Sequence, residues 1–377
     1  MAIVAPVGQV PGLDGARALA TLSVFLFHAR SRTPALDPFN PVLAHADLGV
    51  EVFFILSGFL VARPLIAHAV GGAPKVGFFD FWRRRIARIW PAYLVALIGA
   101  VAVGIGEIDG LAGWVKHGLL IDSWFDDGGG LGLRPSWTLV VEVAFYALIL
   151  PAAALIALTR RRSHDAWATL CIAMVAFGSW AILQVSYGET ERALRVLPPF
   201  LPAFAVGILL AVAEITPGVG TRSGPLLRGV RRLAARPAVC LGLAAGIFLA
   251  MVVLLTPRST APAFGFGRER AWQSVGQIAV GFFALAPLAL GAVRAGWLEH
   301  RALLALGAAS FGFYLWHLQV LRLVRPLLQS SDLAAGGGIA LAIVGSWVAG
   351  EASRRIIERP ARRLLVRGRA PQPPKVT

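Results

Sequence analysis

Three ionisable residues, Asp14, Arg17 and His28, lie in one otherwise apolar stretch, LDGARALATLSVFLFH. An imidazole can act as a general base toward a hydroxyl group, and a guanidinium can bind an anionic oxygen. Arg17 and His28 are close to three helical turns apart, so a helix places both on one face, about 16 Å apart along its axis. Asp14 lies one turn before Arg17 on nearly the same face. The spacing therefore predicts a polar face that joins an acid, a cation and a base.

The chain that carries this face is strongly apolar. Of its 377 residues, 57% are hydrophobic and 15% are charged, whereas a soluble domain carries about a quarter charged residues. Segments of the ~20 apolar residues needed to cross a bilayer recur along the whole chain. The sequence predicts an all-α, polytopic integral-membrane helical bundle of about ten transmembrane helices, at 13–31, 47–69, 88–106, 136–158, 166–186, 196–214, 236–256, 273–293, 302–327 and 333–353.

The net charge of +16 follows a pattern along the chain. Most of the 36 Lys and Arg residues lie in the loops after even-numbered segments and in the tail from Arg354. Because cytoplasmic loops carry an excess of Lys and Arg, these loops and both termini are predicted to be cytoplasmic. The charge then reflects topology and attraction to anionic membrane lipids, and no nucleic-acid partner is expected. The predicted domains are a transmembrane domain, 1–353, and a basic cytoplasmic tail, 354–377.

A charged face in contact with lipid would cost several kcal/mol per charge, so the face of the first segment should line a protein interior or a watery cavity. Simpler readings stay open. Arg17 could anchor the helix at the membrane surface, Asp14 could be a favourable acid near a helix N-terminus, and His28 could be a structural residue of the bundle. Cys171 and Cys240 lie in apolar segments without partners at metal-ligand spacing, and no HExxH motif occurs, so no metal is expected.

Five blocks of the sequence together resemble the acyltransferase family 3 of membrane proteins. The first is GLDGARALATLSVFLFH, in which the arginine precedes the histidine by eleven positions. The others follow in family order: GVEVFFILSGFLVARPL, FWRRRIARIWPAY, SWTLVVEVAFY and SFGFYLWH. The blocks cover most of the chain, and their common order makes the match specific to the family rather than to one protein.

The resemblance implies an integral-membrane, acyl-CoA-dependent O-acyltransferase. Such enzymes take an acyl group, here expected to be acetyl or another short chain, from cytoplasmic acyl-CoA. They place it on a hydroxyl of a sugar, glycolipid, polysaccharide or glycosylated natural product such as a macrolide. The expected location is the bacterial cytoplasmic membrane. The soluble esterase-like domain of some members is not expected here.

The family's arginine and histidine correspond to Arg17 and His28, which makes His28 the expected general base. Asp14 is grouped with them because it shares their face. Glu142 lies about 9 Å below the predicted outer boundary of the fourth segment by helical rise, near the depth of His28. We expect Glu142 to orient His28 or to bind the acceptor hydroxyl. The alternative is a structural hydrogen bond to a neighbouring helix.

The run of arginines at the start of the third segment is the expected binding site for the phosphates of CoA. Arg85 and Arg88 share a helical face and are the first choice for phosphate contact, because guanidinium groups bind phosphate bidentately. Arg84 and Arg63 are expected to assist them. The alternative is that the arginines only anchor the helix at the cytoplasmic surface.

Three further residues are expected to bind substrate. Tyr314 and His317 are three residues apart and share a helical face, so they could support the acceptor or line the donor passage. Trp137 begins the fourth segment, where an aromatic side chain can contact substrate or lie in the interfacial aromatic belt. A packing role for Tyr314 and His317 also stays open.

Two other classes of protein compete with the enzyme. Membrane transporters and proton relays also use intramembrane ionisable residues, here Asp14, Arg17, His28 and Glu142. Many transporters have paired halves with broken segments at matching positions, and the second half of this chain has no evident counterpart of these residues. A structural membrane scaffold would not need the Arg17–His28 face at all.

Overall fold

Ten long helices match the ten predicted segments in the computed structural model, which describes residues 10–70, 73–125, 132–158, 163–187, 195–215, 224–255 and 268–366. We number them α1 to α10 in chain order. Their bounds are Leu13–Arg30, Leu48–Ala69, Phe78–Ala102, Trp137–Leu158, Ser163–Tyr187, Leu201–Ile215, Pro237–Leu255, Arg268–Ala289, Arg301–Leu323 and Asp332–Ser353. No strand occurs in these described ranges.

Nine helices in the described part of the chain are long and apolar enough to cross a membrane. The chain is therefore a multi-pass membrane protein. Helix α1 is not among the nine, because its 18 residues include Asp14, Arg17 and Arg30. It nevertheless packs between α2 and α9 inside the bundle, where a charged residue needs protein or water around it. The cytoplasmic position of the termini stays a prediction.

Shorter helices connect the long ones. The α-helical pieces are Asn40–Leu43, Gly110–Gly118, Asp122–Phe125, Pro225–Ala234, Arg325–Leu328 and Arg359–Val366. In the described part of the chain, 3-10 turns cover Pro34–Phe39, Arg134–Ser136, Pro198–Phe200 and Gly296–Glu299. A π-helical turn, Arg354–Glu358, follows α10 directly. The predicted tail therefore begins as a helical continuation of α10 that packs against α3, and residues 367–377 lie outside the described residues.

Two helix boundaries differ from prediction in ways that affect the site. Helix α3 begins at Phe78 rather than near 88, because the Gly-, Pro- and Lys-containing stretch before it ends at Gly77 and no helix breaker follows until Pro91. The arginine run thus lies within a helix. Helix α9 ends at Leu323, and Arg325 begins a separate short helix.

The bundle is held together most closely where α2 crosses α6. Gly58 of α2 lies against the backbone of Phe204, and Gly207 of α6 lies against the carbonyl oxygen of Ile55. Small residues allow such close backbone approach, and the van der Waals packing that results helps to drive helix association in membranes. The contact fixes the position of α2, which supplies much of the wall of the site described below.

Replacing Gly207 by alanine is expected to lower the stability of the protein, because the new Cβ would overlap the Ile55 carbonyl oxygen and overpacking costs about 1–3 kcal/mol. Gly242, in α7, is the matched control, since a Cβ there meets no atom within 4 Å. Thermal unfolding in detergent checks this expectation. A Gly207→Ala midpoint equal to or above that of Gly242→Ala would contradict it.

Candidate active site

A central cavity of about 530 Å³ lies between five helices, α1, α2, α3, α4 and α9. Polar and charged side chains in its wall include Asp14, Arg17, Ser57, Arg63, Arg85, Arg88, Thr138, Glu142, Tyr146, Ser310 and Tyr314. The polar face of α1 therefore faces a cavity inside the protein at Asp14 and Arg17. This is the placement that the cost of charge in lipid predicts.

Three of the four cavity arginines have partners within the protein. Arg17 forms an ion pair with Asp14 at 3.1 Å between Nη1 and Oδ1. Arg63 binds Glu214 of α6 bidentately, with N–O distances of 2.5 and 2.6 Å. Arg85 lies over the ring of Tyr146, with 5.2 Å from its guanidinium carbon to the ring centroid. These contacts position cationic groups at the predicted cytoplasmic end of the cavity.

Arg88 differs from the other three. It is half-buried and lines the cavity, and among the described residues it forms no hydrogen bond or ion pair. Arg84 is exposed and does not line the cavity. Helical period alone does not separate these residues, because four residues advance a helix by about 400°, which leaves Arg84 only about 40° from Arg88 around the axis. The structure therefore brings Arg85, Arg88 and Arg63 to the cavity, but not Arg84.

Glu142 lies in the wall of the central cavity and accepts two hydrogen bonds. Ser57 of α2 donates to Glu142 Oε1 at 2.8 Å, and the Tyr146 hydroxyl donates to the same oxygen. The bond from Ser57 is a hydrogen bond to a neighbouring helix, as in the structural alternative, whereas Tyr146 lies one turn further along α4 itself. Glu142 does not bond to His28, so the structure does not support a direct orienting role for it.

His28 lies in a separate small pocket of about 40 Å³, which we call the histidine pocket. The His28 ring faces that of His317, with centroids 5.2 Å apart. His317 Nδ1 lies 2.6 Å from the carbonyl oxygen of Tyr314. Because a carbonyl can only accept, Nδ1 carries the proton and Nε2 is left as an acceptor. Nε2 is buried and has no partner among the described residues.

Two residues, Val50 and Tyr314, line both the central cavity and the histidine pocket. The Tyr314 hydroxyl lies 3.0 Å from Thr138 Oγ1 and donates to the carbonyl oxygen of Pro135 at 3.2 Å. Trp137 also lines the histidine pocket, with its ring packed against Phe200. The predicted substrate residues Tyr314, His317 and Trp137 therefore gather around His28.

Comparison with known proteins identifies the family of the chain. A family model described as an acyltransferase domain matches residues 10–351. The chain belongs to this acyltransferase family. It is 30% identical to the acyltransferase MdmB of Streptomyces mycarofaciens, over 98% of both chains. It is 23% identical to the O-acetyltransferase OatA of Staphylococcus aureus (strain NCTC 8325 / PS 47) and 27% identical to YrhL of Bacillus subtilis (strain 168). No solved structure matches.

The coverage of these acyltransferases is unequal. The alignments with OatA and YrhL include 94% of this chain, but 57% and 55% of the relatives' own lengths. YrhL is provisionally named a peptidoglycan O-acetyltransferase. The range matched by the family model, 10–351, contains all of the cavity residues described above, so membership of the acyltransferase family applies to the membrane bundle itself.

The structure adds acidic and amide groups to this acyltransferase site that the sequence did not single out. Glu51, Arg270 and Gln277 line the histidine pocket with Asp47. Asp47 accepts hydrogen bonds from Arg270 at 3.1 Å and from Gln277. Glu51 is 3% exposed, and its Oε2 atom has no hydrogen-bond partner in the described chain.

The signal for this cluster was present but weak. Asp47 and Glu51 are one helical turn apart at the start of α2, and Arg270 is at the start of α8. Charged residues near helix ends usually lie at the membrane surface. Only the packing of α8 against α2 turns them toward His28.

Proposed function

We propose that this acyltransferase moves an acetyl or other short acyl group from cytoplasmic acyl-CoA to a hydroxyl group. The acceptor would be a sugar, glycolipid, polysaccharide or glycosylated natural product such as a macrolide. One observation carries the proposal: the cavity that holds Arg17, Arg85 and Arg88 shares wall residues with the pocket of His28. The name of OatA, an O-acetyltransferase, supports acetyl as the transferred group.

The donor would enter the central cavity from the cytoplasm. Arg88 and Arg85 would bind CoA phosphates, since guanidinium groups form short charge-assisted hydrogen bonds to phosphate oxygens. Arg63 is held by Glu214, so it would contribute charge rather than direct contacts. The extended pantetheine arm would run past Arg17 and Glu142 toward Tyr314. Arg17 is about 16 Å below His28 by helical rise, which suits an elongated thioester.

The reaction would take place at the boundary marked by Tyr314. The neutral imidazole of His28 accepts the proton of the acceptor hydroxyl while the hydroxyl oxygen attacks the thioester carbonyl carbon. The tetrahedral intermediate then collapses, the carbon–sulfur bond breaks, and the proton goes to the CoA thiolate. The products are the acyl ester and free CoA. His317, whose Nε2 is an unprotonated acceptor, would assist proton movement beside His28.

The acceptor would approach from the other side of the membrane. The predicted topology places the carboxyl end of α1, and with it His28, toward the outer face. The streptomycete, staphylococcal and bacillar relatives support a bacterial cytoplasmic membrane as the location. The provisional name of YrhL supports cell-wall glycans as one class of acceptor.

The proposal is tested by acyl-CoA turnover with the purified protein in detergent. Acetyl-CoA is supplied with a panel of glycosides, and free thiol release and the acylated product are measured together. The proposed activity requires CoA release that depends on a hydroxyl acceptor and yields its ester in equal amount. Movement of a solute across liposomes without CoA consumption would instead support a transporter.

Replacing Glu51 by glutamine is expected to lower kcat by about 10- to 100-fold, because its unpaired Oε2 atom would accept one charge-assisted hydrogen bond during the transfer. The substitution keeps the shape of the side chain but removes a carboxylate from the histidine pocket. The KM for acetyl-CoA should stay the same, because Glu51 does not line the central cavity. Steady-state kinetics checks both parameters.

Glu269→Gln is the matched control for this substitution. Glu269 is exposed at the start of α8, so its replacement should leave both kinetic parameters unchanged. A kcat for Glu51→Gln equal to that of Glu269→Gln would contradict a role for the carboxylate beside His28.

A further inference from the structure

A second large cavity, of about 400 Å³, lies at the opposite end of α1 from Arg17 and is lined by four arginines. We call it the arginine cavity. Arg32 follows α1, Arg134 precedes α4, Arg322 ends α9, and Arg325 begins the next short helix. The remaining lining residues are Ser31, Gly104, Ile105 and Leu318. Its volume lies within the range of about 300–1,000 Å³ that is typical of small-molecule sites.

Among the described residues, no acid neutralises the positive charge of the arginine cavity. No carboxylate lines it, and none of the four arginines forms an ion pair with an acid in the described part of the chain. Burial lowers the pKa of the Arg32 guanidinium, and repulsion from Arg134 and Arg325 lowers it further. Arg134, Arg322 and Arg325 are exposed, so solvent screens part of the repulsion among the four guanidinium groups, and an anion between them would lower it further.

Topology does not explain these arginines. The positive-inside rule accounts for Lys and Arg at cytoplasmic ends of membrane helices. The arginine cavity lies at the ends of α1 and α9 that are predicted to face outward, where few cations are expected. Arginines on that side need an explanation other than topology. Arginine is well suited to bind planar oxyanions such as carboxylate, and also phosphate.

The arginine cavity adjoins the two histidines. Arg32 Nη1 donates a hydrogen bond to the backbone carbonyl oxygen of His28 at 2.6 Å. Leu318, in the cavity wall, directly follows His317. A molecule held by these arginines is therefore next to the histidine pocket but separate from the central cavity, which has its own arginines for the donor.

We infer that the arginine cavity binds a phosphate or carboxylate group carried by the acceptor, so that a hydroxyl of the same molecule reaches His28. This inference rests on the proposed function, because it assigns the charged group to the acceptor of that reaction. The enzyme would then select acidic glycans, sugar phosphates or lipid-linked phosphosugars. Acceptors whose only charge is an amino group would be disfavoured by the same four guanidinium groups.

A binding measurement without acyl-CoA tests the anion site alone. Glucose 1-phosphate, glucuronate, glucose and glucosamine are titrated against the protein in phosphatidylcholine nanodiscs, and binding is followed by calorimetry. The two anionic sugars should bind and the other two should not.

Arg134→Gln and Arg322→Gln should each weaken anion binding by about tenfold or more, while Arg134→Lys should retain part of it. Arg232→Gln, at an exposed arginine of the Pro225–Ala234 helix, should bind like the unchanged protein.

Equal binding by Arg134→Gln, Arg322→Gln and Arg232→Gln would overturn the inference. A second set of nanodiscs contains phosphatidylglycerol. If this lipid stays bound to the protein and glucose 1-phosphate does not displace it, the site holds a membrane lipid and the inference is also overturned. Acetyl-CoA turnover distinguishes failure of the anion-site inference from failure of the proposed acyltransferase function. Turnover with neutral and anionic acceptors alike contradicts only the anion preference, whereas no turnover with any acceptor contradicts the acyltransferase activity itself.

Discussion

Replacing His28 by alanine is expected to lower acyl transfer by about 10²–10⁴-fold, the usual contribution of a general base. The loss should be in kcat, because His28 lies outside the central cavity that is proposed to bind acyl-CoA. The KM for acetyl-CoA should therefore change little. Thiol release measured against acetyl-CoA concentration gives both parameters, and size-exclusion profiles verify that the variant is folded.

His68→Ala is the matched control for this prediction. His68 lies near the carboxyl end of α2, where its Nδ1 atom is 3.0 Å from the carbonyl oxygen of Ala73. It lines neither the central cavity nor the histidine pocket, so its loss should leave transfer unchanged. If His28→Ala retained the activity of His68→Ala, another group would have to accept the hydroxyl proton, and His317 would be the first to examine.

Replacing Arg88 by glutamine is expected to raise the KM for acetyl-CoA by about 10- to 100-fold. This is the expected loss of affinity when one or more charge-assisted hydrogen bonds to phosphate are removed. Arg88 is the cavity arginine without a partner among the described residues, so its charge is available to a ligand. The substitution should affect kcat much less than KM. Initial-rate kinetics over a range of acetyl-CoA concentrations checks the separation.

Arg84→Gln tests the same change four residues earlier on the same helix. Arg84 is exposed and outside the cavity, so the KM should stay at its original value. Acetyl-dephospho-CoA extends the test: if Arg88 contacts the 3′-phosphate, removal of that phosphate and the Arg88→Gln change should not be additive. Equal KM values for Arg84→Gln and Arg88→Gln would mean that the arginine run only anchors α3.

The sequence predicted the bundle and one wall of the site for a clear physical reason. Apolar segments of membrane length give a strong signal, and each of the ten predicted segments overlaps a long helix. Within such a segment, the cost of charge in lipid directs Arg17 inward, and helical spacing relates it to His28. Both inferences need only the period of one helix. The shared face of Arg85 and Arg88 follows in the same way, but the exclusion of Arg84 from the cavity does not, because Arg84 is one turn before Arg88.

Features that depend on contacts between distant segments were not predictable in the same way. Ser57 and Glu142 are 85 positions apart, and only the packing of α2 against α4 shows that they form a hydrogen bond. Glu51 reaches the histidine pocket because α1, α2 and α8 meet there. Arg322 and Arg325 seemed to lie within a span, and the end of α9 at Leu323 places them at its mouth instead.

The most direct test is an electron cryo-microscopy structure of the protein with a non-transferable thioether analogue of acetyl-CoA. The CoA phosphates should contact Arg85 and Arg88, and the pantetheine arm should occupy the central cavity. The acyl carbon should lie beside Tyr314 and His28. Phosphates bound instead to Arg134 and Arg322, with the central cavity empty of the analogue, would contradict this arrangement.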